Sequence, residues 1–311
     1  MQIQFLGTSS GSPSRYRNMS AVAVSFDSAK QWLLVDCAEG TQHQILETNL
    51  SPAKLAVICI THIHGDHCYG LPGLLSSMSL CGRSEPVSLI APQKLIHFIH
   101  ASLALTDVKL GFDLICHNVE ELKAPLKLSL CQIEAIELKH RVPSFGYKIT
   151  ETQIPKKLKI EQLKADNIES GPHYNALQKG HDVVYKNITL HAKEYTFDSW
   201  RPRTVIICGD NEKPAKLANY LSDVDLLVHE ATFTHADLLK VGTHTGHSDA
   251  KRVAEFAQQH AVARLALTHL SVRYHGPGML EPLKREACEH YQGELYFAED
   301  LLSLTIPKQS L

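Results

Sequence analysis

Apolar residues in the first third of the chain come in short dense runs: Ile3–Leu6, Ala21–Phe26, Trp32–Asp36, Leu55–Ile60 and Val87–Ile90, followed by a longer run across Leu128–Leu138. Runs of this length, rich in Val, Ile and aromatic residues and bounded by polar turns, read as strands. Between them, Thr41–Thr48, Leu71–Leu80 and Gln93–Leu105 carry apolar residues three and four positions apart, the spacing of a helix with one buried face. The second half repeats the order, with strands expected at Thr204–Cys208, Asp225–His229 and Arg264–Thr268 and helices at Pro214–Leu221, Asp249–Gln259 and Leu280–Tyr291. Two halves of like order predict an α/β protein built as a layered sandwich of sheets and helices. Ser248 is the expected N-cap of the helix whose buried face is Ala250, Val253, Ala254 and Ala257, which leaves His247 in the loop just before it.

A polar stretch from about Glu151 to Ser199 interrupts this pattern, with Lys156, Lys157 and Lys159 near its start and Gly171-Pro172 in its middle. It predicts an insertion projecting from one domain that spans residues 1–311. From Gln153 to His181 it holds five lysines against three acidic residues, on a chain whose formal net charge is −2. A solvated excursion and a binding arm fit that composition equally well.

Composition changes the picture little. With 311 residues and 44% hydrophobic content the chain can bury a sizeable core. A sequence pI near 6.8 excludes a general nucleic-acid coat, so any binding of RNA or DNA has to come from local basic patches. The 8 cysteines form no Cys-x-x-Cys pair. The start of the chain has no secretory pattern, and no apolar run reaches membrane-spanning length. The expectation is a cytoplasmic protein with mostly buried thiols.

Chemistry enters at Thr61-His62-Ile63-His64-Gly65-Asp66-His67, directly after the apolar run Leu55–Ile60. Three imidazoles and a carboxylate at one strand end suit a zinc-type cation, and a core strand has little other use for them. His62 and His64 can hold one ion, while Asp66 and His67 turn back toward a second. Each zinc takes about four donors, so further His or Asp residues just past strands are required. His140, Asp210 and His269 meet that condition. The resulting assignment is His62, His64 and His140 to the first metal, Asp66, His67 and His269 to the second, and Asp210 to both. Two Zn²⁺ ions per subunit, or Mn²⁺ in their place, with two carboxylates and a bridging hydroxide sum to about +1, which suits an anionic substrate. The chain has 19 histidines, and His97, His100, His117, His173, His191 and His260 read as ordinary surface or satisfied core residues.

This cluster and its spaced partners resemble the metallo-β-lactamase superfamily, which implies a four-layer αβ/βα sandwich over nearly the whole chain. Four more segments narrow the resemblance. Phe5-Leu-Gly-Thr8 through Pro13-Ser-Arg15-Tyr-Arg17-Asn18, Leu33-Leu-Val-Asp36-Cys-Ala-Glu39-Gly40-Thr41-Gln42, Val228-His229-Glu230-Ala231-Thr232 and Leu267-Thr-His269-Leu-Ser271-Val-Arg273-Tyr274 are similar to the blocks of the ribonuclease Z family. That resemblance implies a zinc-dependent endoribonuclease that removes the 3′ trailer from precursor tRNA, acting as a homodimer of the short bacterial form. It also implies that the insertion, with Gly171 and Pro172, is the arm that clamps tRNA. Two positions depart from the family pattern: Asn211 follows Asp210 where Thr is usual, and Asp249 follows Ser248 where Ser or Thr is usual.

The implied reaction assigns further roles. The metal-bridging hydroxide attacks the phosphodiester, Asp66 orients or deprotonates it, and His247 protonates the leaving 3′-oxygen, its imidazole held by Glu230. A loop contact without catalytic meaning is the competing reading of the Glu230–His247 pair. Arg15, Arg17 and Asn18 are expected at the acceptor-stem end, and Ser271 and Arg273 near the scissile phosphate. Two other functions remain open on sequence: a superfamily hydrolase of a small phosphodiester or ester, and a non-catalytic RNA-binding homologue.

Overall fold

The computed structural model describes residues 1–310. The chain begins with three antiparallel strands, β1 (Gln2–Gly7), β2 (Ala21–Ser25) and β3 (Trp32–Val35). It continues through α1 (Thr41–Leu46), β4 (Leu55–Cys59), α2 (Gly65–Cys68), α3 (Leu71–Leu80), β5 (Val87–Ala91), α4 (Gln93–Leu105) and β6 (Leu114–Asn118). From β3 to β6 the pairing is parallel. Parallel neighbours need crossover connections, which the helices supply. A strand in such a sheet is buried on both faces and reads as a continuous apolar run, which is why β4 stood out in the sequence.

Next come β7 (Leu126–Lys127), β8 (Cys131–Leu138) and β9 (Ser144–Glu151), paired antiparallel. The single strand expected over Leu128–Leu138 is therefore broken. The Leu128 N–H donates to the Cys131 carbonyl at 2.9 Å and closes a turn, while Leu130, fully apolar, tucks into the core instead of extending a strand.

The polar stretch folds as a small body of its own: β10 (Lys156–Leu158), α5 (Ile160–Ala165), α6 (Pro172–Gln178), β11 (Val183–Tyr185), β12 (Ile188–Leu190), α7 (Ala192–Tyr195) and β13 (Thr196–Asp198). β10 and β13 pair as its stem, and β11 and β12 form a hairpin whose turn residues, Lys186 and Asn187, both have positive φ, as a twisted two-residue turn requires. Leu163, Ile168, Leu177, Leu190 and Ala192 form its buried core. Glu151 lies outside this body. It ends β9, buried, with its carboxylate on the Arg203 guanidinium at 2.6 and 2.9 Å, so the insertion starts just after it.

The chain then runs through β14 (Thr204–Cys208), β15 (Leu226–Glu230), α8 (His235–Val241), α9 (Ala250–Gln259), β16 (Arg264–Thr268), α10 (Glu281–His290), β17 (Glu294–Phe297) and β18 (Ser303–Thr305). Two seven-stranded sheets result, in the orders β18-β1-β2-β3-β4-β5-β6 and β17-β16-β15-β14-β9-β8-β7. Residues such as Phe5, Leu33, Val57, Ile133, Tyr147 and Val228 pack between the sheets. α3 and α4 cover the outer face of one sheet, and α9 and α10 that of the other, which makes the four-layer αβ/βα sandwich expected from the sequence.

Two local expectations change. Pro214–Tyr220 is a 3₁₀ run, not an α-helix. The N-cap of α9 is Asp249, whose carboxylate accepts the Arg252 N–H at 2.8 Å, because Ser248 turns its hydroxyl to the Asn211 carbonyl. Cys37, Cys59, Cys68, Cys131 and Cys208 are buried free thiols, whereas Cys81 and Cys288 are exposed. Among the described residues no helix is long and apolar enough to cross a membrane.

Candidate active site

Strand ends from both sheets converge on one edge of the sandwich. His62 lies just past β4, His140 past β8, Asp210 past β14, Glu230 at the end of β15 and His269 past β16. α2 turns the chain immediately after β4, which brings Asp66 and His67 back to the same place. The two sheets approach closely here: a methyl group on Gly209 would sit 2.5 Å from the Thr61 Cβ, so only glycine fits between the ends of β4 and β14. Asp36 and His269 adopt positive φ, 62° and 55°, a conformation rare outside glycine and common where a site dictates the backbone.

The donor atoms fall into two groups. His62 Nε2 and His140 Nε2 lie 3.1 and 3.3 Å from His64 Nδ1, and each lies 3.5 Å from Asp210 Oδ2. On the other side His67 Nε2 and His269 Nε2 are 3.2 Å apart, with Asp66 Oδ2 at 3.7 and 3.5 Å and Asp210 Oδ1 at 3.4 and 3.3 Å. Four donors held about 2.0–2.1 Å from a tetrahedral ion sit roughly 3.3 Å from one another, so both groups match the edges of a coordination tetrahedron. Asp210 faces one group with each oxygen, and its buried Oδ1 has no hydrogen-bond partner among the described residues, an orphan that a cation would satisfy. The donor set fits divalent metal ions, and the chain carries a divalent metal-binding cluster. Burial opposes the negative charge of Asp66, but His269 and His67 outweigh it and hold the carboxyl well below its usual range. Burial likewise drives the His62 imidazole toward its neutral, ligating form.

The far side of four of the five imidazoles is also held. His67 Nδ1 meets Asp36 Oδ2 at 2.7 Å, His140 Nδ1 donates to the Gly246 carbonyl at 2.8 Å, His62 Nδ1 meets Thr61 Oγ1 at 3.0 Å and His269 Nδ1 meets Thr232 Oγ1 at 3.1 Å. Asp36 is itself fixed by the Thr61 N–H and hydroxyl at 2.8 and 2.9 Å. Such contacts set ring orientation and tautomer, leaving the other nitrogen to face the ion. The Gly11 N–H anchors Asp66 Oδ2 at 2.8 Å.

His247 stands beside this cluster with Nδ1 3.1 and 3.2 Å from the two oxygens of Glu230, which is buried. Burial alone would discharge its imidazole, but the Glu230 and Asp210 carboxylates prevail and raise its pKa to about 9. Asn211 supports the pair, its N–H donating to Glu230 Oε1 at 2.7 Å and its amide meeting His229 Nε2 at 2.9 Å. Asp249, the other departure, caps α9 and bonds Arg252 Nε at 2.6 Å, away from the donor atoms.

The remaining expected residues are placed differently from one another. Arg15 is exposed and lines an open cleft with Asn18, Gly40, His43 and Gln44. Arg17 lines that cleft too, but its guanidinium is turned away from it. Its guanidinium is buried and donates to Thr8 Oγ1 and the Ala298 carbonyl, so it braces the loop, and the expected contact with substrate is corrected to that internal role. The Asn18 side chain donates to the Glu39 carbonyl at 3.1 Å. Ser271 lies beside the Thr232 segment, and half-exposed Arg273 stacks on Phe233 at 5.1 Å. Gly171 and Pro172 stand in the insertion, at the start of α6.

Asp36, Thr61 and Thr232 were missed as site residues by the sequence reading. Asp36 had a signal, since it ends the expected strand Trp32–Asp36 and the test that selected Asp210 and His269 selects it too. Tyr69 and Arg141, which line the cleft over the metal cluster, carried none.

Comparison with known proteins agrees with this geometry. A family profile described as "Anti-Pycsar protein Apyc1" matches residues 1–154. The chain is 45% identical to ribonuclease Z of Pseudomonas putida, covering 97% of this chain and 95% of that protein, and 36% identical to ribonuclease Z of Bacillus subtilis, covering 99% and 100%. The crystal structure of the short form of human tRNase Z superposes with a TM-score of 0.68 at 27% identity, covering 99% of this chain and 100% of that one. A metallo-β-lactamase fold protein of Bacillus subtilis, YhfI, gives the same TM-score, 0.68, at 17% identity and so speaks for the fold alone. With identities at this level over nearly its full length, the chain belongs to the ribonuclease Z family and is a tRNase Z-type endoribonuclease.

Proposed function

We propose that the protein cleaves the 3′ trailer from precursor tRNA after the discriminator nucleotide, working in the cytoplasm as a homodimer. The observation that carries the reading is the pair of donor groups joined through Asp210. His62, His64 and His140 would hold one zinc or manganese ion, and Asp66, His67 and His269 the other. When bound, such a pair supplies ionised water near neutral pH and positive charge opposite the phosphate.

The chain's own residues do the rest. Asp66, fixed by the Gly11 N–H, orients or deprotonates the attacking water. Water oxygen bonds to phosphorus as the bond from phosphorus to the 3′-oxygen breaks. His247, kept protonated beside Glu230, donates its proton to that oxygen, which leaves a 3′-hydroxyl on the tRNA and a 5′-phosphate on the trailer. Arg15 contacts the acceptor-stem end, Asn18 shapes that loop, and Ser271 and Arg273 lie within the reach of flanking phosphates. The insertion, with Gly171-Pro172, holds the body of the tRNA for the partner's site.

The test is incubation with a trailer-bearing precursor in the presence of zinc. Wild type should give a single product ending in a 3′-hydroxyl that Asp66→Ala does not give, and the absence of that product overturns the reading. The proton-donor role is separable: His247→Ala should cost about 10²- to 10⁴-fold on RNA. On a diester with a p-nitrophenolate leaving group, which needs no proton, it should cost little. Equal losses on both would leave His247 no such role.

A further inference from the structure

A cleft of about 380 Å³ opens over the metal cluster, with buried Asp210 at its floor and exposed Tyr69 and Arg141 at its rim. That volume lies within the ~300–1,000 Å³ range of small-ligand sites. Tyr69 is unlike the other tyrosines nearby. Tyr147 and Tyr274 bury their rings and donate their hydroxyls to Ile60 and Asp237, whereas Tyr69 is 59% exposed. Its backbone is rigid, closing α2 through an N–H to the Gly65 carbonyl at 3.0 Å, two residues after the ligand His67. The ring rests directly on Gly65, where an added methyl would lie 2.2 Å from Cε2, and Phe98 of α4 backs it at a centroid distance of 6.3 Å. Arg141 reaches the same cleft from the other sheet, next to the ligand His140, and makes no ion pair among the described residues.

An exposed aromatic ring fixed beside the reaction centre, with an unpaired guanidinium sharing its cleft, is the combination that takes an unstacked nucleotide: the ring takes the base and the cation its phosphate. We propose that Tyr69 is a base-stacking platform for one of the two nucleotides that flank the scissile phosphate, and that Arg141 binds the phosphate of that nucleotide. The inference rests on the endonuclease reading above. It makes Tyr69 a binding residue for a particular nucleotide and gives it no part in the proton transfers.

The experiment uses the full-length metal-loaded protein and precursor tRNAs carrying a single abasic sugar at either flanking position. On intact RNA, Tyr69→Leu should lower kcat/KM about tenfold, mostly through KM, and Tyr69→Phe should restore it. On the precursor lacking the stacked base, wild type should lose about the same factor and Tyr69→Leu should lose nothing further. Arg141→Gln should weaken cleavage and flatten its dependence on salt. Metal content is measured for every variant and should be unchanged. Failure of the wild type to cut intact precursor removes the reading beneath the inference and the inference with it. Cleavage by wild type with a Tyr69→Leu loss that persists undiminished on both abasic precursors, or a loss of bound metal in that variant, overturns the platform alone.

Discussion

The metal cluster and the inserted arm are built on opposite plans. The seven donor side chains come from both halves of the chain, and the sandwich behind them packs three apolar clusters, one between the two sheets and one under each helical layer. Four of the five imidazoles are bonded at both ring nitrogens' positions, one toward the cluster and one toward Asp36, Thr61, Thr232 or Gly246. The arm is local in sequence, joined by two strands, and stabilised by five buried apolar residues of its own. Chemistry needs donors held to a fraction of an ångström, so they stand on strand ends. Under the proposed function the arm would grip a large polyanion, a task that needs reach and charge more than precision.

The largest expected effect comes from cutting the cluster at its centre. Asp210→Ala removes the one carboxylate that, among the described residues, faces both donor groups. It should lower cleavage about 10⁴-fold or more, since members of a unit fail together. Elemental analysis should show metal lost as well. Retained stoichiometric metal with high activity would mean the two groups do not work as one.

Removing the arm should cost less and discriminate more. The Ser199 N–H donates to the Pro155 carbonyl at 2.9 Å, so the two ends of the stem already touch and residues 156–198 can be replaced by a short Gly-Ser linker without pulling on β9 or β14. Precursor cleavage should fall about 10²- to 10⁴-fold, the scale of losing one of two linked binding contacts. Turnover of a small chromogenic phosphodiester should stay within about twofold. A parallel loss of both would show that the arm supports the fold and not the RNA.

Asp36→Asn probes the supports. It keeps the volume but takes the charge from His67, and should cost about 10- to 100-fold in metal affinity, seen as a higher zinc concentration for half-maximal activity. Saturating zinc should recover most of the rate.

Much of the cluster was legible because its chemistry restricts residue type. His and Asp suit these ions, and they had to fall just past strands, so His140, Asp210 and His269 could be picked out although they lie far apart in the chain. Supports such as Thr61 and Thr232 act through a hydroxyl that any loop contains, which leaves no trace in sequence. Arg17 misled because a guanidinium in a Ser/Pro-rich loop looks solvent-facing, while the carbonyl of Ala298 that takes it inward lies 281 positions away. β9 was missed although Phe145, Tyr147 and Ile149 alternate along it into the core between the sheets, with Gly146, Lys148 and Thr150 at the positions between them. The lysine stem lies along the sheet and its ammonium donates to the carbonyls of Tyr220 and Ser222. The arm was read only as polar because its core is five residues spread over 30 positions, too sparse for any period to emerge.

That sparseness sets the smallest and most selective test. Leu163 is fully buried at the centre of the arm's core, beside Ile168, Leu177 and Leu190. Leu163→Ala should cost about 2–5 kcal/mol in the stability of the arm. The main sandwich shares none of these contacts, so the cost should appear as faster hydrogen exchange and proteolysis within residues 156–198, with the main thermal transition nearly unmoved. Precursor cleavage should then drop part of the way toward the arm-deleted protein, and the small diester should be turned over as before. If the small-diester rate or the metal content falls with it, the two regions are energetically one body and the division of labour drawn between them is wrong.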